Sequence, residues 1–263
     1  MNIFCISIFN KNYDNFKRLK LIPVGLGNNK FNHNWINDKN GKSISLKNKN
    51  FGEYTFHYNL WKNKKLTLKY KGWIGFCSYR RFWTKISNNN ITTFEQLEKI
   101  IISEPPKTWK HYDVILGKPL KFKKIKNIKL IKKNFFEILK KPSMLYKDNT
   151  LEDQFRVFHG SYYLDNAIDM LNKKYQKGFK KFLNGYFLYP YNMFICKNPI
   201  ILSKFYDEIF PWLFKCENLF KNRDLSGYNK IRIYGFLAER FMPFWFLKNY
   251  RVGTCPISFF DKK

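Results

Sequence analysis

Short apolar runs alternate along the chain with segments of helical periodicity. A continuous apolar run of four to eight residues predicts a strand that is buried on both faces, as in a parallel sheet. By this criterion we predict strands over residues 2–9, 73–78, 112–117 and 188–196, the last of them near the middle of the sheet. Between these runs, apolar residues recur every three or four positions, and we predict helices over residues 52–63, 92–103, 152–175, 199–221 and 229–248.

Local signals support this assignment. Thr93, followed three residues later by Gln96, forms the capping-box pattern of a helix start, and Pro243 is expected to kink the last helix. Residues 28–50 are rich in Asn, Lys, Gly and Ser, which predicts a loop. Strands interleaved with helices indicate an α/β fold with a mostly parallel central sheet flanked by helices. No internal repeat or linker interrupts it, so we predict a single domain over residues 1–263.

Composition narrows the class of protein. Hydrophobic residues make up 44% of the chain and aromatic residues 20%, which excludes intrinsic disorder. No apolar run reaches the 18 residues that span a bilayer, and residues 1–9 lack the basic flank and cleavage site of a secretory signal. The five cysteines are scattered and never form Cys-x-x-Cys, which favours free thiols over a zinc site. We therefore expect a cytoplasmic protein.

A large positive charge adds possible partners. The chain carries 49 Lys and Arg against 19 Asp and Glu, a net charge of +30, and only eight of these cations are arginines. Such an excess is typical of proteins that bind nucleic acid, an anionic membrane surface or an anionic substrate, and it equally fits the codon bias of an AT-rich genome. Residues 107–141 contain twelve lysines against two acids, so we expect a basic face there, suited to the inner face of a membrane.

Two constellations suggest chemistry. Tyr79, Arg80 and Arg81 directly follow a predicted buried strand, and ligands of open α/β sheets bind outside the carboxyl ends of strands. Two arginines in a chain that otherwise uses lysine indicate bidentate contacts with phosphate or carboxylate, with a structural ion pair as the alternative. If the strand continues past Tyr79, the two arginines point to opposite faces and only one of them reaches the ligand.

The second constellation lies on the last predicted helix, where Arg232, Gly235, Glu239 and Arg240 fall mostly on one face. Glycine costs about 1 kcal/mol in a helix interior, which suggests a close approach at Gly235. Glu239 is placed to act as a general base, and a structural ion pair between Arg232 and Glu239 is the alternative.

Other motifs are weak or absent. Gly25 and Gly27 lie in the segment 22–27 and would let a ligand approach the backbone, although the third glycine of a dinucleotide fingerprint is missing. The sequence contains no Asp-x-Asp, Walker loop, His-Glu-x-x-His or Gly-x-Ser-x-Gly. The four histidines are dispersed and are assigned structural roles, so we predict no metal site.

Several boxes along the chain occur in the order of a known family. Residues 43–55 read SISLKNKNFGEYT, residues 61–63 read WKN and residues 74–82 read IGFCSYRRF. This series resembles a bacterial family of capsular-polysaccharide and O-antigen glycosyltransferases, catalogued in part as domain of unknown function 4422, with the pattern N-I-S-x-K-N-x-x-x-x-E-L-T, W-K-N and G-x-x-H-Y-R-R-Y-F. Segments 112–116, 191–195, 212–214 and 235–240 follow in the family's order. Ser78 and Gly52 depart from the His and Cys that the family often has.

The resemblance implies a GT-A-like fold that transfers a sugar from a nucleotide-sugar, with UDP-sugar favoured, to a surface glycan or a lipid-linked acceptor. It implies a nucleotide-binding half over about residues 1–117 and an acceptor-side half over about 118–263. Arg80 and Arg81, with Tyr79, Gly25 and Gly27, are then expected to bind the donor's diphosphate and nucleotide without a metal held by Asp-x-Asp.

The same resemblance assigns the remaining candidates. Glu239 is the first choice for the base that deprotonates the acceptor hydroxyl in an inverting reaction, and Glu53 is the second. Asn192, Arg232 and Arg240 are expected to contact donor or acceptor. A retaining reaction needs no such base, and the sequence does not choose between the two. Two other classes stay open: a basic nucleic-acid-binding protein, and a catalytically inactive, membrane-peripheral protein of the same fold.

Overall fold

The computed structural model describes residues 1–63, 69–88, 90–123, 138–139, 141–223 and 225–261. Its strands are β1 (Asn2–Ser7), β2 (Ile22–Gly25), β3 (Ile36–Asn37), β4 (Ile74–Ser78), β5 (Arg81–Trp83), β6 (Val114–Gly117), β7 (Leu120–Lys121), β8 (Phe187–Leu188), β9 (Phe194–Cys196), β10 (Val252–Cys255) and β11 (Ile257–Phe259). Its α-helices are α1 (Tyr13–Arg18), α2 (Asn48–Phe51), α3 (Tyr54–Lys62), α4 (Phe94–Ile100), α5 (Leu151–His159), α6 (Ser161–Met170), α7 (Lys173–Leu183), α8 (Pro199–Phe220), α9 (Tyr228–Ile231) and α10 (Ile233–Asn249).

Most strands join one central sheet in the order β10-β6-β9-β4-β1-β2-β3. Strand β1 pairs in parallel with β2 and β4, β2 with β3, and β6 with β10, whereas β9 runs antiparallel between β4 and β6. Strands β5 and β11 form an antiparallel pair attached to the end of β4. The predicted α/β fold with a mostly parallel sheet flanked by helices is confirmed, and β9 lies near the middle of the sheet.

Alternate side chains of the central strands pack into two hydrophobic clusters, one on each face of the sheet. Phe4 and Ile6 of β1 join the cluster that contains α8 and α10, whereas Ile3 and Cys5 join the cluster that contains α1 and α4. Strands β6 and β9 divide their side chains between the clusters in the same way. Because both faces are buried, these strands need no polar alternation, and this explains why continuous apolar runs mark them.

Several predicted elements are divided by residues with left-handed or otherwise irregular backbone. The helix predicted over residues 152–175 is interrupted at Gly160, where φ is 99°, and again after Met170. The strand predicted over residues 188–196 is split because Tyr191 and Asn192 adopt φ values of 75° and 51°, which lie outside the strand region.

Other boundaries also differ from the sequence pattern. The loop predicted over residues 28–50 contains β3, a short 3-10 turn at Ser45–Lys47 and most of α2. Helix α10 continues through Pro243, and Arg232 separates it from α9. Strands β10 and β11 carry no signal in the sequence, because Gly253 and Pro256 interrupt short segments of mixed polarity.

The predicted basic face over residues 107–141 lies partly outside the described residues, since 124–137 and 140 are not described. All five cysteines are free and buried. Within the described ranges, none of the helices has both the length and the apolar character needed to cross a membrane.

A buried histidine in α3 makes the stability of this fold depend on pH. Nδ1 of His57 lies 2.7 Å from the Tyr206 hydroxyl, and burial lowers the pKa of His57 from 6.5 to about 3. Between pH 6.5 and about 3 the unfolded chain therefore binds a proton that the folded chain excludes. The contribution of neutral His57 to stability is complete above this window and is lost as the pH falls through it.

We expect the free energy of unfolding to fall less between pH 7 and pH 4.5 in His57→Gln than in the wild type, measured by urea denaturation at each pH. His159, whose pKa is also lowered to about 3 by burial, remains in both proteins. His33→Gln, at an exposed position, is the matched control and keeps the wild-type pH dependence. An unchanged pH dependence in His57→Gln would refute this account.

Candidate functional site

A cleft of about 470 Å³ opens at the edge of the sheet where β1 and β4 end. Because β9 is antiparallel, its amino end lies at the same edge as the carboxyl ends of these two strands. Helices α2, α9 and α10 and the residues that precede α3 complete the lining. This is the position at which open α/β sheets bind their ligands.

The cleft brings together residues that lie far apart in the sequence. Seven of the predicted site residues line it: Glu53, Tyr79, Arg80, Arg81, Asn192, Arg232 and Glu239. The lining also includes Lys49, which the sequence does not single out, so its formal charges are four cations (Lys49, Arg80, Arg81 and Arg232) against two carboxylates (Glu53 and Glu239). A net positive lining suits an anionic ligand such as a diphosphate.

Three predicted site residues do not line the cleft. Gly25 packs against the Phe31 ring. A side chain at this position would overlap that ring. Gly27 adopts a φ of 68°, and its N–H donates to Oδ1 of buried Asp38 at 3.3 Å. The third residue, Arg240, is only 1% exposed and lies behind the cleft wall.

The two arginines reach the cleft because β4 ends before them. Tyr79 and Arg80 form the turn between β4 and β5, and Arg81 begins β5. Arg80 donates from Nη1 to Oδ2 of Asp261 at 3.2 Å, and its guanidinium lies 4.9 Å from the centre of the Tyr79 ring. This turn removes the expected restriction to a single arginine, since both now line the same cavity.

Arg81 presents a guanidinium held by aromatic rings. Its central carbon lies 4.1 Å from the centre of the Tyr191 ring and 5.6 Å from that of Phe259. Within the described part of the chain, no carboxylate forms an ion pair with Arg81. Stacking fixes the plane of the guanidinium and leaves its edge donors available for an anionic ligand.

A strained turn before β9 lines the cleft beside Arg81. Tyr191 and Asn192 are consecutive non-glycine residues with left-handed backbone, which costs on the order of 1 kcal/mol each. This conformation directs the Tyr191 N–H to Oε1 of Glu239 at 2.7 Å. The sequence carries a faint signal of the turn, since asparagine tolerates this backbone region better than most residues.

The side chain of Asn192 is fixed by the elements around it. Its Nδ2 donates to Oε1 of Glu53 at 2.6 Å and to the Gly235 carbonyl at 3.1 Å. Its Oδ1 accepts from the Tyr54 hydroxyl at 3.3 Å, and burial raises the pKa of Tyr54, so that hydroxyl stays protonated as a donor. Asn192 therefore joins the start of α3 to α10.

Glu239 is oriented from two sides. Besides the Tyr191 N–H, it accepts a hydrogen bond at Oε2 from Nη1 of Arg240 at 2.5 Å. Arg240 also donates to the side-chain oxygen of Gln154. Burial lowers the pKa of Arg240 and the Glu239 carboxylate raises it, and an arginine stays charged in proteins. The structure thus places Arg240 as a support for Glu239 behind the cleft.

The alternative interpretation of Arg232 and Glu239 as an ion pair is wrong. Arg232 precedes the first residue of α10, and its Nη2 donates instead to Oε2 of Glu53 at 3.0 Å. Glu53 is therefore shared between Arg232 and Asn192. At Gly235 a side chain would meet only the Phe51 carbonyl at 3.7 Å, an ordinary contact, so the protein itself does not crowd this position.

Both carboxylates of the cleft are already bonded to protein donors, which hold them in place. Among the residues that the structure describes, no group of three His, Cys, Asp or Glu side chains is arranged to hold a metal ion. The arrangement as a whole offers guanidinium groups and two oriented carboxylates within one cavity.

Comparisons with known proteins agree with the fold. A family model described as "Domain of unknown function (DUF4422)" matches residues 5–250. No curated protein matches the chain. The solved structure of WbbM, described as a bifunctional glycosyltransferase in its apo form, aligns with a TM-score of 0.73 at 19% sequence identity, covering 100% of the present chain and 45% of the WbbM chain. The chain thus spans less than half of WbbM, and at this identity the likeness establishes a shared fold.

Proposed function

The chain belongs to the DUF4422 family of domains of unknown function, and we propose that it is a glycosyltransferase that moves a sugar from a nucleotide-sugar to a surface glycan or lipid-linked acceptor on the cytoplasmic side of the membrane. One observation carries this proposal: Arg80, Arg81, Glu53 and Glu239 line one cleft at the carboxyl ends of β1 and β4. The fold shared with WbbM supports the same class of reaction.

The cleft arginines Arg80 and Arg81 suit the leaving group of this reaction. When the bond between the sugar's anomeric carbon and the diphosphate breaks, the electron pair stays on the diphosphate oxygen, and negative charge develops there. Fixed cations aimed at such developing charge stabilise a transition state without reorganisation. We assign this role to Arg80 and Arg81, with Tyr79 beside them, and take a UDP-sugar as the first donor to test. The assignment makes no use of a metal held by Asp-x-Asp.

The cleft carboxylates Glu53 and Glu239 suit the acceptor. In an inverting reaction the acceptor oxygen bonds to the anomeric carbon and its proton passes to a carboxylate. We assign that role first to Glu239, whose orientation is fixed by Tyr191 and Arg240, and second to Glu53. Asn192 and Arg232 both donate hydrogen bonds to Glu53 and hold it in place. In a retaining reaction these groups position the substrates and no base of this kind is needed.

A thermal-shift screen with UDP-, GDP-, CMP- and dTDP-sugars tests the proposal. A ligand at 100 times its Kd stabilises the folded protein by about 2.7 kcal/mol, so the correct nucleotide raises the melting temperature in proportion to the logarithm of its concentration. Arg81→Ala tests whether this shift comes from the cleft, and we expect the shift to be smaller in that variant.

The outcomes separate the three classes of protein. Stabilisation by one nucleotide-sugar together with sugar transfer supports the enzyme. Stabilisation without turnover for any acceptor indicates an inactive protein of the same fold. No stabilisation by any nucleotide, together with salt-sensitive binding of DNA, would replace the proposal with a nucleic-acid-binding role.

A further inference from the structure

A second surface, away from the cleft lining, combines exposed apolar side chains with lysines. It is built from residues 118–123, 141–148 and 173–188, and we name it the lysine-aromatic surface. Strands β7 and β8 join two of these segments, with Lys121 paired to Phe187, and the Phe122 N–H donates to the Tyr186 carbonyl at 3.1 Å. Lys121 binds Asp148 at 2.7 Å, which joins the third segment.

The apolar part of this surface is unusually exposed. Its large side chains are 38 to 64% exposed: Leu120, Leu145, Tyr146, Tyr186 and Phe187. Single exposed apolar residues are normal on soluble proteins, whereas a cluster rimmed by polar residues marks an interaction site. Here five of them come from three neighbouring segments.

The charged part of the surface is predominantly positive. Residues 118–123, 141–148 and 173–188 contain ten lysines and one acid, Asp148, which pairs with Lys121. Two more of these lysines, Lys141 and Lys174, pair with Asp153 and Glu208, which lie outside the three segments. Helix α7 supplies half of the ten lysines, and all five are exposed: Lys173, Lys174, Lys177, Lys180 and Lys181. The apolar face of α7 is buried in the core through Tyr175, Phe179 and Leu183, so its lysine face points outward.

We propose that the lysine-aromatic surface docks on an anionic lipid bilayer. Lysines attract anionic headgroups within about 8 Å at physiological salt, and aromatic side chains sit favourably at the headgroup level. Phosphates of nucleic acid would account for the lysines alone. Exposed Leu120 and Leu145 favour the bilayer, because aliphatic side chains gain by leaving water for the acyl boundary.

This surface lies close to the cleft along the chain. Four peptide bonds separate Phe187 from Tyr191, so their Cα atoms are at most about 15 Å apart. An acceptor anchored in the bilayer would therefore emerge near Tyr191, which lines the cleft. That consequence rests on the proposed glycosyl transfer, whereas docking itself does not.

Flotation with lipid vesicles tests the docking. We expect the wild-type protein to float with vesicles of phosphatidylcholine mixed with phosphatidylglycerol and not with phosphatidylcholine alone. The triple variant Lys177→Gln, Lys180→Gln and Lys181→Gln lowers the partition coefficient by about 100-fold. The matched control, Lys17→Gln, Lys85→Gln and Lys99→Gln, removes the same charge on the other face of the sheet and binds like the wild type.

A second variant tests the apolar contribution at constant charge. Tyr146→Ser with Phe187→Ser weakens vesicle binding at least tenfold and leaves binding to duplex DNA unchanged. The nucleotide-dependent thermal shift reports the cleft separately, and we expect all four proteins to keep it. Failure of the wild type to float with the anionic vesicles, equal losses in the two triple variants, or tighter binding to duplex DNA than to anionic vesicles overturns the proposal.

Discussion

Arg81→Ala lowers kcat/KM for the nucleotide-sugar donor by about 10²- to 10³-fold, the range seen when one preorganised donor to a developing charge is removed. The guanidinium is held over the Tyr191 and Phe259 rings and has no carboxylate partner in the described part of the chain. The N–H donors of the Arg81 guanidinium are therefore available for the donor's diphosphate. Steady-state kinetics with the donor identified by thermal shift measures the effect.

Two further variants separate charge from geometry. Arg81→Lys keeps the charge but loses the planar fork and its stacking, so we expect it to recover only a minor part of the activity. Arg18→Ala removes an arginine that pairs with Glu95 at 3.0 Å on the exposed surface, and it keeps wild-type kinetics. Unchanged donor kinetics in Arg81→Ala would remove this residue from the diphosphate site.

The same assay distinguishes fixed charge from a divalent cation. If Arg80 and Arg81 neutralise the leaving diphosphate, the wild-type enzyme keeps its activity in EDTA. Activity that collapses in EDTA and returns with manganese contradicts that assignment. Arg80 is expected to have a smaller effect than Arg81, because Asp261 already shares its charge.

The position of the two arginines at the end of a central strand could be predicted from the sequence. Arg80 and Arg81 come just after a short apolar run that is typical of a buried strand, so their place at the sheet edge could be predicted from the local pattern. The fold is predictable for the same reason, since strands buried on both faces leave a continuous apolar signal. Strands β5 and β11 escape this reasoning, because they are short and pair at the margin of the sheet.

Contacts between distant segments account for what the sequence conceals. Glu239 receives the Tyr191 N–H only because that residue adopts a left-handed backbone, which no periodicity reveals. Arg232 chooses Glu53 over Glu239 because it lies just before α10 begins, and a helix boundary is known to within only a residue or two from sequence. Gly25 reads as a ligand-binding glycine in the sequence, yet it accommodates Phe31.

Glu239→Gln is expected to lower turnover by about 10²- to 10⁴-fold, the contribution of a positioned general base. It also destabilises the fold. Both carboxylate oxygens accept hydrogen bonds, from the Tyr191 N–H and from Arg240, and glutamine offers only one acceptor. Breaking a buried ion pair by removing one partner costs about 3 to 5 kcal/mol, because the other charge is left uncompensated. Turnover must therefore be expressed per folded molecule, with the folded fraction measured by denaturation.

A double variant decides whether Glu239 acts in the reaction or only in the fold. Arg240→Met combined with Glu239→Gln removes the uncompensated guanidinium and recovers part of the lost stability. If Glu239 is the base, the double variant stays inactive although it folds, and its donor-dependent thermal shift is retained. If Glu239 is only structural, turnover returns with stability.

Glu53→Gln is the comparison within the same cleft. Full turnover in Glu239→Gln together with loss of turnover in Glu53→Gln would transfer the role of the base to Glu53. The Oε1 atom of Glu53 already lies 2.6 Å from Nδ2 of Asn192.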